Sequence, residues 1–385
     1  MKKVNVGLIG YRFMGKAHSH AYKDLTMFFK TGVVPVMKVI SGRNKEALEE
    51  AAHRYGWEEY ETSWEKVVER EDIDLIDICT PNSMHKEIAI KAAQKGKMIL
   101  CEKPLATSLQ DAQEILDVVE KANIKHMIDF NYRKVPAICF AKKLIEEGYV
   151  GDIYHFRGVF LQDWIVDPNF PLVWRLQQQE SGSGAHGDLN AHIIDLARFL
   201  VGDIERVIGI NQTFIKERPL VKEVSHLTTG LSAAAEEKLG KVTVDDATLF
   251  LAKFKNGALG TFEATRFATG NRCGLRFEIN GSKGSIRFKF DDMNSLEIFS
   301  REDPETKQGF KKISVTEASH PYMANWWPAG HGIGYEHTFV HIVYDFMEAI
   351  ANDILPSPNF YDGVECQRVL DAVEKSIREE RWIEV

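Results

Sequence analysis

A chain of 385 residues is longer than a single hydrophobic core usually organises, so two domains are expected. Hydrophobic residues at 44% and charged residues at 27% place it in the globular class, and a net charge of −8 argues against a nucleic-acid partner, which needs a lysine-rich face. Cys79, Cys101, Cys139, Cys273 and Cys366 form no CxxC pair and fit a reducing cytoplasm; no leader is expected, and no stretch stays apolar for the ~20 residues of a bilayer span, so no membrane partner is expected either.

Up to about residue 130, short β-branched runs alternate with helical patterns, which predicts βαβ units and a parallel sheet. Strands are predicted over 4–9, 36–40, 75–79, 98–101 and 127–130, with the loops at their C-terminal ends lining one crevice. Ala47, Leu48, Ala51, Ala52 and Tyr55 recur at helical spacing, as do Ile115, Leu116, Val119 and Ala122. Thr62 with Glu65 and Thr107 with Gln110 match capping boxes, and Gly56 and Gly96 stand where helices would stop.

Beyond a predicted helix over 136–147 the rhythm changes. Strands are predicted over 153–164, 204–215, 242–254, 258–267, 275–280 and 285–290, with hairpin links at 255–257 and 281–284. The polar segment 216–241 shows no sustained strand period and is expected to be an excursion or an interface arm. Helices return over 337–351 and 363–380. The expected architecture is α/β: residues 1–130 as one domain and 131–385 as an α+β domain on a large, mostly antiparallel open sheet, the last helices returning to the first domain.

Gly10-x4-Gly15 sits where the first strand meets the first helix, a place that favours a pyrophosphate through backbone N–H groups and the helix dipole. Arg12 replaces the middle glycine of the G-x-G-x-x-G pattern. The same letters approach a phosphate-loop NTPase, but Ala17 stands where a magnesium-holding hydroxyl is needed. After the second strand Ser41-Gly42-Arg43 replaces a ribose-reading acid, which leaves NAD and NADP both open, NAD being the first choice. Lys103, Asp188 and His192, brought beside a nicotinamide ring, could steer a proton and a hydride off an alcohol.

Four motifs now stand together: Gly7-x-x-Gly10-x4-Gly15-Lys-Ala-His18, Cys79-Thr-Pro-Asn-x-x-His85, Cys101-Glu-Lys-Pro-Leu-Ala106 and Gly187-Asp-x3-His192-x-x-Asp195. In them the chain resembles the Gfo/Idh/MocA family (glucose-fructose oxidoreductase, inositol dehydrogenase, rhizopine catabolism) along its whole length. Gln162-Asp-Trp164, Trp174-Arg175, residues 264–267 and 280–284, and Trp326-Trp-Pro-x-Gly-His331 resemble its levoglucosan-dehydrogenase-like group.

The resemblance implies a Rossmann dinucleotide-binding domain, a second, open-sheet domain that mediates homodimers or homotetramers, and NAD- or NADP-dependent oxidation of a secondary hydroxyl on a sugar, anhydrosugar or cyclitol. It implies that Lys103 stabilises the reacting oxygen, His192 takes its proton and Asp188 orients them, with Pro104 in cis. Cofactor contacts are expected from Gly10, Arg12, Phe13, Met14, Ser41, Gly42, Arg43, Thr80, Pro81, Asn82, His85, Glu102, Lys103 and Asn131. Substrate contacts are expected from Lys103, Tyr132, Arg133, Gln162, Trp164, Arg175, Asp188 and His192, and Asp195 reads as structural. Two other readings use the same fold: a non-enzymatic dinucleotide-binding sensor, and a reductase of imines, enones or another carbonyl. No metal is expected, since His337 and His341, His18 and His20, and His186 and His192 lack an HExxH pattern or a third ligand.

Overall fold

The computed structural model describes residues 2–223 and 234–385. Six parallel strands, β1 (Lys2–Ile9), β2 (Val33–Ser41), β3 (Glu59–Glu61), β4 (Leu75–Ile78), β5 (Met98–Glu102) and β6 (His126–Asp129), form a sheet in the order β3-β2-β1-β4-β5-β6. Helices α1 (Phe13–Phe28), α2 (Lys45–Tyr55), α3 (Trp64–Glu69), α4 (His85–Gln94) and α5 (Leu109–Lys121) connect them. The order reverses between β1 and β4, and that switch point opens a crevice at the strands' C-terminal ends. Leu75, Ile76 and Ile78 are fully buried, as a strand covered on both faces requires.

Two predicted caps are displaced by one residue. Ser63 and Ser108, not Thr62 and Thr107, accept the backbone N–H groups of Lys66 and Asp111. Each Thr-Ser or Ser neighbour offers an equivalent hydroxyl, and the extended backbone before the first helical residue selects between them. The short edge strand β3, polar and only three residues long, carries too little periodicity to be predicted.

After α6 (Pro136–Glu146) come β7 (Ile153–Leu161), the short α7 (Gln178–Ser181), α8 (Ala191–Leu200) and β8 (Ile204–Gln212). The segment expected to lack strand structure instead contributes β9 (Glu217–Glu223) and β10 (Ala234–Lys241), paired antiparallel; residues 224–233 lie outside the described residues. Its period is obscured because charged residues occupy both strands. Arg218 docks this arm: fully buried, it donates to the carbonyl oxygens of Ile165, Asp167 and Phe170.

Then follow β11 (Ala247–Phe254), β12 (Leu259–Thr265), β13 (Gly274–Gly281), β14 (Gly284–Lys289), β15 (Ser295–Ser300) and β16 (Lys311–Ser314), helices α9 (Tyr335–Ala351) and α10 (Phe360–Glu379), and β17 (Ile383–Glu384). The second sheet has nine strands in the order β16-β15-β14-β13-β7-β12-β11-β8-β17. Every pairing in it is antiparallel except β7 with β12. The hairpin links at 255–257 and 281–284 join β11 to β12 and β13 to β14. Helix α9 packs on α1, and α10 lies between α5 and β8.

His126 on β6 is 3% exposed and accepts the Phe360 N–H through Nδ1 at 3.1 Å, tying α10 to the first sheet. Burial pushes its pKa down to about 4. The folded value lies below the unfolded one near 6.5, so this contribution to stability is complete above pH ~6.5 and lost as pH falls toward 4. The stability advantage of the natural protein over His126→Gln should therefore shrink by about 1.4 kcal/mol per pH unit across that window. Urea unfolding of both proteins at pH ~7.5 and ~5 measures it; a constant difference would contradict the burial argument.

Candidate active site

A single cleft of about 1170 Å³ runs from the glycine turn to the second sheet. At one end lie Gly10, Arg12, Phe13 and Met14, where β1 turns into α1. Gly10 has φ +109°, and a Cβ on Gly15 would stand 1.9 Å from the Gly10 carbonyl oxygen, so both positions need glycine. Arg12, the helix N-cap, has φ −78°, a value open to any residue, so the backbone there does not require glycine. Ser41, Gly42 and Arg43 continue the cleft past β2, Thr80, Pro81 and Asn82 past β4, Glu102 and Lys103 past β5, and Asn131 past β6.

His85, also expected against the cofactor, is not on the cleft wall. It is fully buried, with Nδ1 2.9 Å from the Pro104 carbonyl and Nε2 3.1 Å from the Thr80 carbonyl. The turn at 82–84 carries it inward as the first residue of α4, so it braces the two loops from behind. Arg133 is likewise displaced from the expected substrate contacts. It pairs with Asp195 at 2.6 Å and with Asp362 at 2.9 Å, within the packing of α8 against α10. Asp195 is consumed by that ion pair.

Tyr132, Gln162, Trp164, Arg175, Asp188 and His192 line the other end of the cleft. Asp188 lies in a π-helical turn, His186–Asn190, that leads into α8, so the helix carrying both residues is locally wider than the regular one expected. Lys103 Nζ donates to Asp188 Oδ1 at 2.9 Å and to the Asp188 carbonyl at 3.1 Å. The ammonium has three donors, which leaves one for a further partner in the cleft. The Lys103–Pro104 bond is cis.

Burial alone would raise the Asp188 pKa, but Lys103, Arg266 and Arg175 overcome it and hold the carboxyl well below the usual range. His192 shifts the other way: burial and then the Lys103 charge hold it well below 6.5, leaving a neutral imidazole at physiological pH. Its ring stands edge-on to Tyr132, and its buried Nδ1 has no hydrogen-bond partner among the described residues. A neutral imidazole, a cation with a spare donor and a locked carboxylate on one wall are the parts for moving a proton to and from an alcohol oxygen.

Arg266 lies in the stretch 264–267 that carries part of the resemblance, but the sequence gives it no site role. Fully buried at the end of β12, it donates to Asp188 Oδ2 at 2.8 Å and sits over the Trp164 ring. Membership of that stretch does not say what the guanidinium pairs with; only the fold sets it against Asp188. Tyr335 at the start of α9 and Leu220 and Val221 of the β9 arm also line the cleft unannounced.

Two histidines of the pairs weighed as metal ligands, His341 and His186, have other partners. His341 accepts from Trp326 Nε1 at 2.8 Å and faces the Lys134 carbonyl at 2.8 Å. His186 lies 3.0 Å from the Leu370 carbonyl and 3.1 Å from Asn190.

The model of an oxidoreductase family with an NAD-binding Rossmann fold matches residues 4–130, and that of the GFO/IDH/MocA C-terminal domain matches residues 139–287. The chain belongs to the GFO/IDH/MocA oxidoreductase family. It is 44% identical to a levoglucosan dehydrogenase of Pseudarthrobacter phenanthrenivorans, with 100% of this chain and 99% of that one covered. Among solved structures, an oxidoreductase domain protein from Kribbella flavida superposes with TM-score 0.94 at 47% identity, covering 100% of both chains. A levoglucosan dehydrogenase bound to NADH and levoglucosan does so with TM-score 0.94 at 43% identity, covering 100% of this chain and 99% of that one. The first sheet is thus an NAD-binding Rossmann domain, and the protein is an NAD-dependent oxidoreductase. The glycine cradle, which added Cβ atoms would fill, and the N-terminus of α1 fit the dinucleotide.

Proposed function

We propose that this protein oxidises a secondary hydroxyl of a cyclic sugar, anhydrosugar or cyclitol, with an anhydrosugar of the levoglucosan type as first candidate. The observation that carries this reading is the meeting of Lys103, Asp188 and His192 in the cleft that begins at the glycine turn. NAD, when bound, accepts a hydride at nicotinamide C4. The spare Lys103 donor hydrogen-bonds the reacting oxygen and favours its alkoxide character, while neutral His192 takes the hydroxyl proton. Asp188, gripped by Lys103 and Arg266, sets the direction of the lysine amine and accepts from a neighbouring hydroxyl. Trp164 and Trp174 offer apolar faces to a sugar's C–H surface, with Gln162 and Arg175 sorting its hydroxyls. Residues 1–130 would serve as the cofactor domain and 131–385 as the substrate domain.

Screening levoglucosan, inositols and glucosides with NAD and NADP, following the absorbance of reduced nicotinamide, tests the reading. Cofactor binding without turnover of any of these compounds would overturn the proposed substrate class.

The second sheet exposes an apolar row, Ile210, Leu249, Leu251 and Leu259, on neighbouring strands β8, β11 and β12. An isologous contact between two such faces would bury it in a homodimer, which can pair again into a tetramer. Light scattering should find an oligomer for the natural protein and a monomer for Leu249→Lys/Leu251→Lys; a monomeric natural protein would refute the assembly. Among the described residues no helix is long and apolar enough to cross a membrane, and the five cysteines are free, which supports a cytoplasmic location.

A further inference from the structure

Beneath the floor of the cleft lies a second group of charges that the proposed chemistry does not use. His18 on α1 is 1% exposed; its Nδ1 is 2.9 Å from Asp77 Oδ2, and its Nε2 is 3.2 Å from Glu102 Oε1 and 2.8 Å from Asp129 Oδ2. Tyr22 donates to the same Asp77 at 2.9 Å. Three carboxyl groups at the ends of β4, β5 and β6 therefore surround one imidazole. Burial alone would lower the His18 pKa, yet the neighbouring charges, Asp77 foremost, raise it well above the ordinary value, so the ring is an imidazolium with two N–H donors.

Two donors cannot serve three carboxylates. One N–H is directed at Asp77 and the other at Glu102, whereas neither oxygen of Asp129 receives a directed hydrogen bond among the described residues. Asp129 is 1% exposed, and its 2.8 Å approach to Nε2 is an ionic contact. A buried carboxylate in that position, beside a second carboxylate, is relieved by taking up a proton. Burial and then the Glu102 charge push its pKa up to about 7.

The other titratable or charged groups facing this cluster are Cys79 from β4, Cys101 from β5, His85 from α4, Tyr335 from α9 and Arg175 from the second domain. Burial pushes the cysteine and tyrosine values up and the His85 value down, so these four stay neutral near pH ~7. Asp129, buried, without a directed donor and with its pKa raised, is the carboxyl of the cluster placed to take up a proton.

Glu102 connects this cluster to the cleft: it lines the wall next to Lys103, and its Oε2 accepts the Lys103 backbone N–H at 3.1 Å. A dinucleotide whose pyrophosphate rested on the glycine turn would have the length of this cleft, up to the wall of Glu102 and Lys103, for its nicotinamide. That ring carries a positive charge when oxidised and none when reduced. We propose that Asp129 is a redox-linked proton site, ionised when the oxidised cofactor occupies the cleft and protonated when the reduced one does, with Glu102 transmitting the charge between them. The proposal rests on the NAD-dependent reading of the site. Its consequence is that reduction of the bound cofactor draws a proton from solvent into the cluster, partly offsetting the proton released from the alcohol. By linkage, rising pH must then strengthen binding of the oxidised form relative to the reduced form.

Titration calorimetry of the full-length protein with NAD and with NADH, in buffers of different ionisation enthalpy, tests this. Near neutral pH, binding NAD should release more protons than binding NADH, and the ratio of the two dissociation constants should shift several-fold between pH ~6 and ~8. The infrared difference spectrum between the two complexes should show the carbonyl band of a protonated carboxyl only with NADH. Asp129→Asn should abolish both effects, while His192→Ala should retain them. Equal proton release with the two cofactors, or no carboxyl band in the natural protein, overturns the proposal without recourse to any variant. So does survival of the linkage in Asp129→Asn. Failure of either cofactor to bind would instead sink the NAD-dependent reading.

Discussion

Lys103→Met should lower kcat by roughly 10³ to 10⁴ while leaving NADH affinity within a few-fold of the natural protein, since the side chain stabilises charge that develops only as the proton and hydride depart. The substitution removes one of the two cations hydrogen-bonded to the Asp188 side chain but leaves Arg266 at 2.8 Å, so the fold should survive. It should also change the pH profile in a defined direction. A general base works only when neutral, so activity is lost as pH falls through its pKa. Burial and the Lys103 charge both hold His192 down, and deleting that charge lets its value rise. The acidic limb of the residual kcat/KM profile should therefore move to higher pH in Lys103→Met and vanish in His192→Ala. The latter should lose roughly 10² to 10⁴ in kcat. Stopped-flow turnover and fluorescence titration with NADH separate these effects, and near-normal turnover in both purified variants would dismiss the assignments.

Arg266→Met should be the most damaging single change outside the reacting groups. The guanidinium is fully buried and supplies the hydrogen bond to Asp188 Oδ2. Breaking a buried pair by deleting one partner typically costs about 3–5 kcal/mol, because the other charge is left without compensation. Asp188 is 28% exposed through the cleft and keeps Lys103, so the lower end of that range is expected here. Freed on one side, the carboxylate should follow the lysine and misdirect its remaining donor. KM for the polyol should rise and kcat fall together, with NADH affinity little changed. Denaturant unfolding and steady-state kinetics on the same preparation would show it, and a variant of natural stability and KM would exclude this positioning role.

Legibility from the sequence followed the range of the interactions. Gly10 and Gly15 announce themselves because a local backbone need excludes other residues, and the strands of the first sheet other than the edge strand β3 do so because burial leaves apolar runs. The motifs around Lys103 and His192 likewise pointed to groups that share one cleft. Other elements were hidden by competing local signals: two neighbouring hydroxyls at each displaced cap, and charged residues along β9 and β10 that masked their alternation. His85 and Arg133 were misplaced for a different reason. Each lies one turn from true cleft residues, and no local pattern tells whether a polar side chain points into a cleft or behind it.

What the sequence determined by itself was therefore the layered α/β architecture, the dinucleotide turn and the family. All of these are written in spacings of a few residues, set by backbone geometry and periodic burial. Only the tertiary structure decided the charge states: Arg266 reaches Asp188 across 78 positions, and His18 meets Glu102 across 84. Ionisation in a buried site depends on which charges converge there and on how much water is excluded. Both are properties of the folded chain, which brings the ends of parallel strands to a common edge.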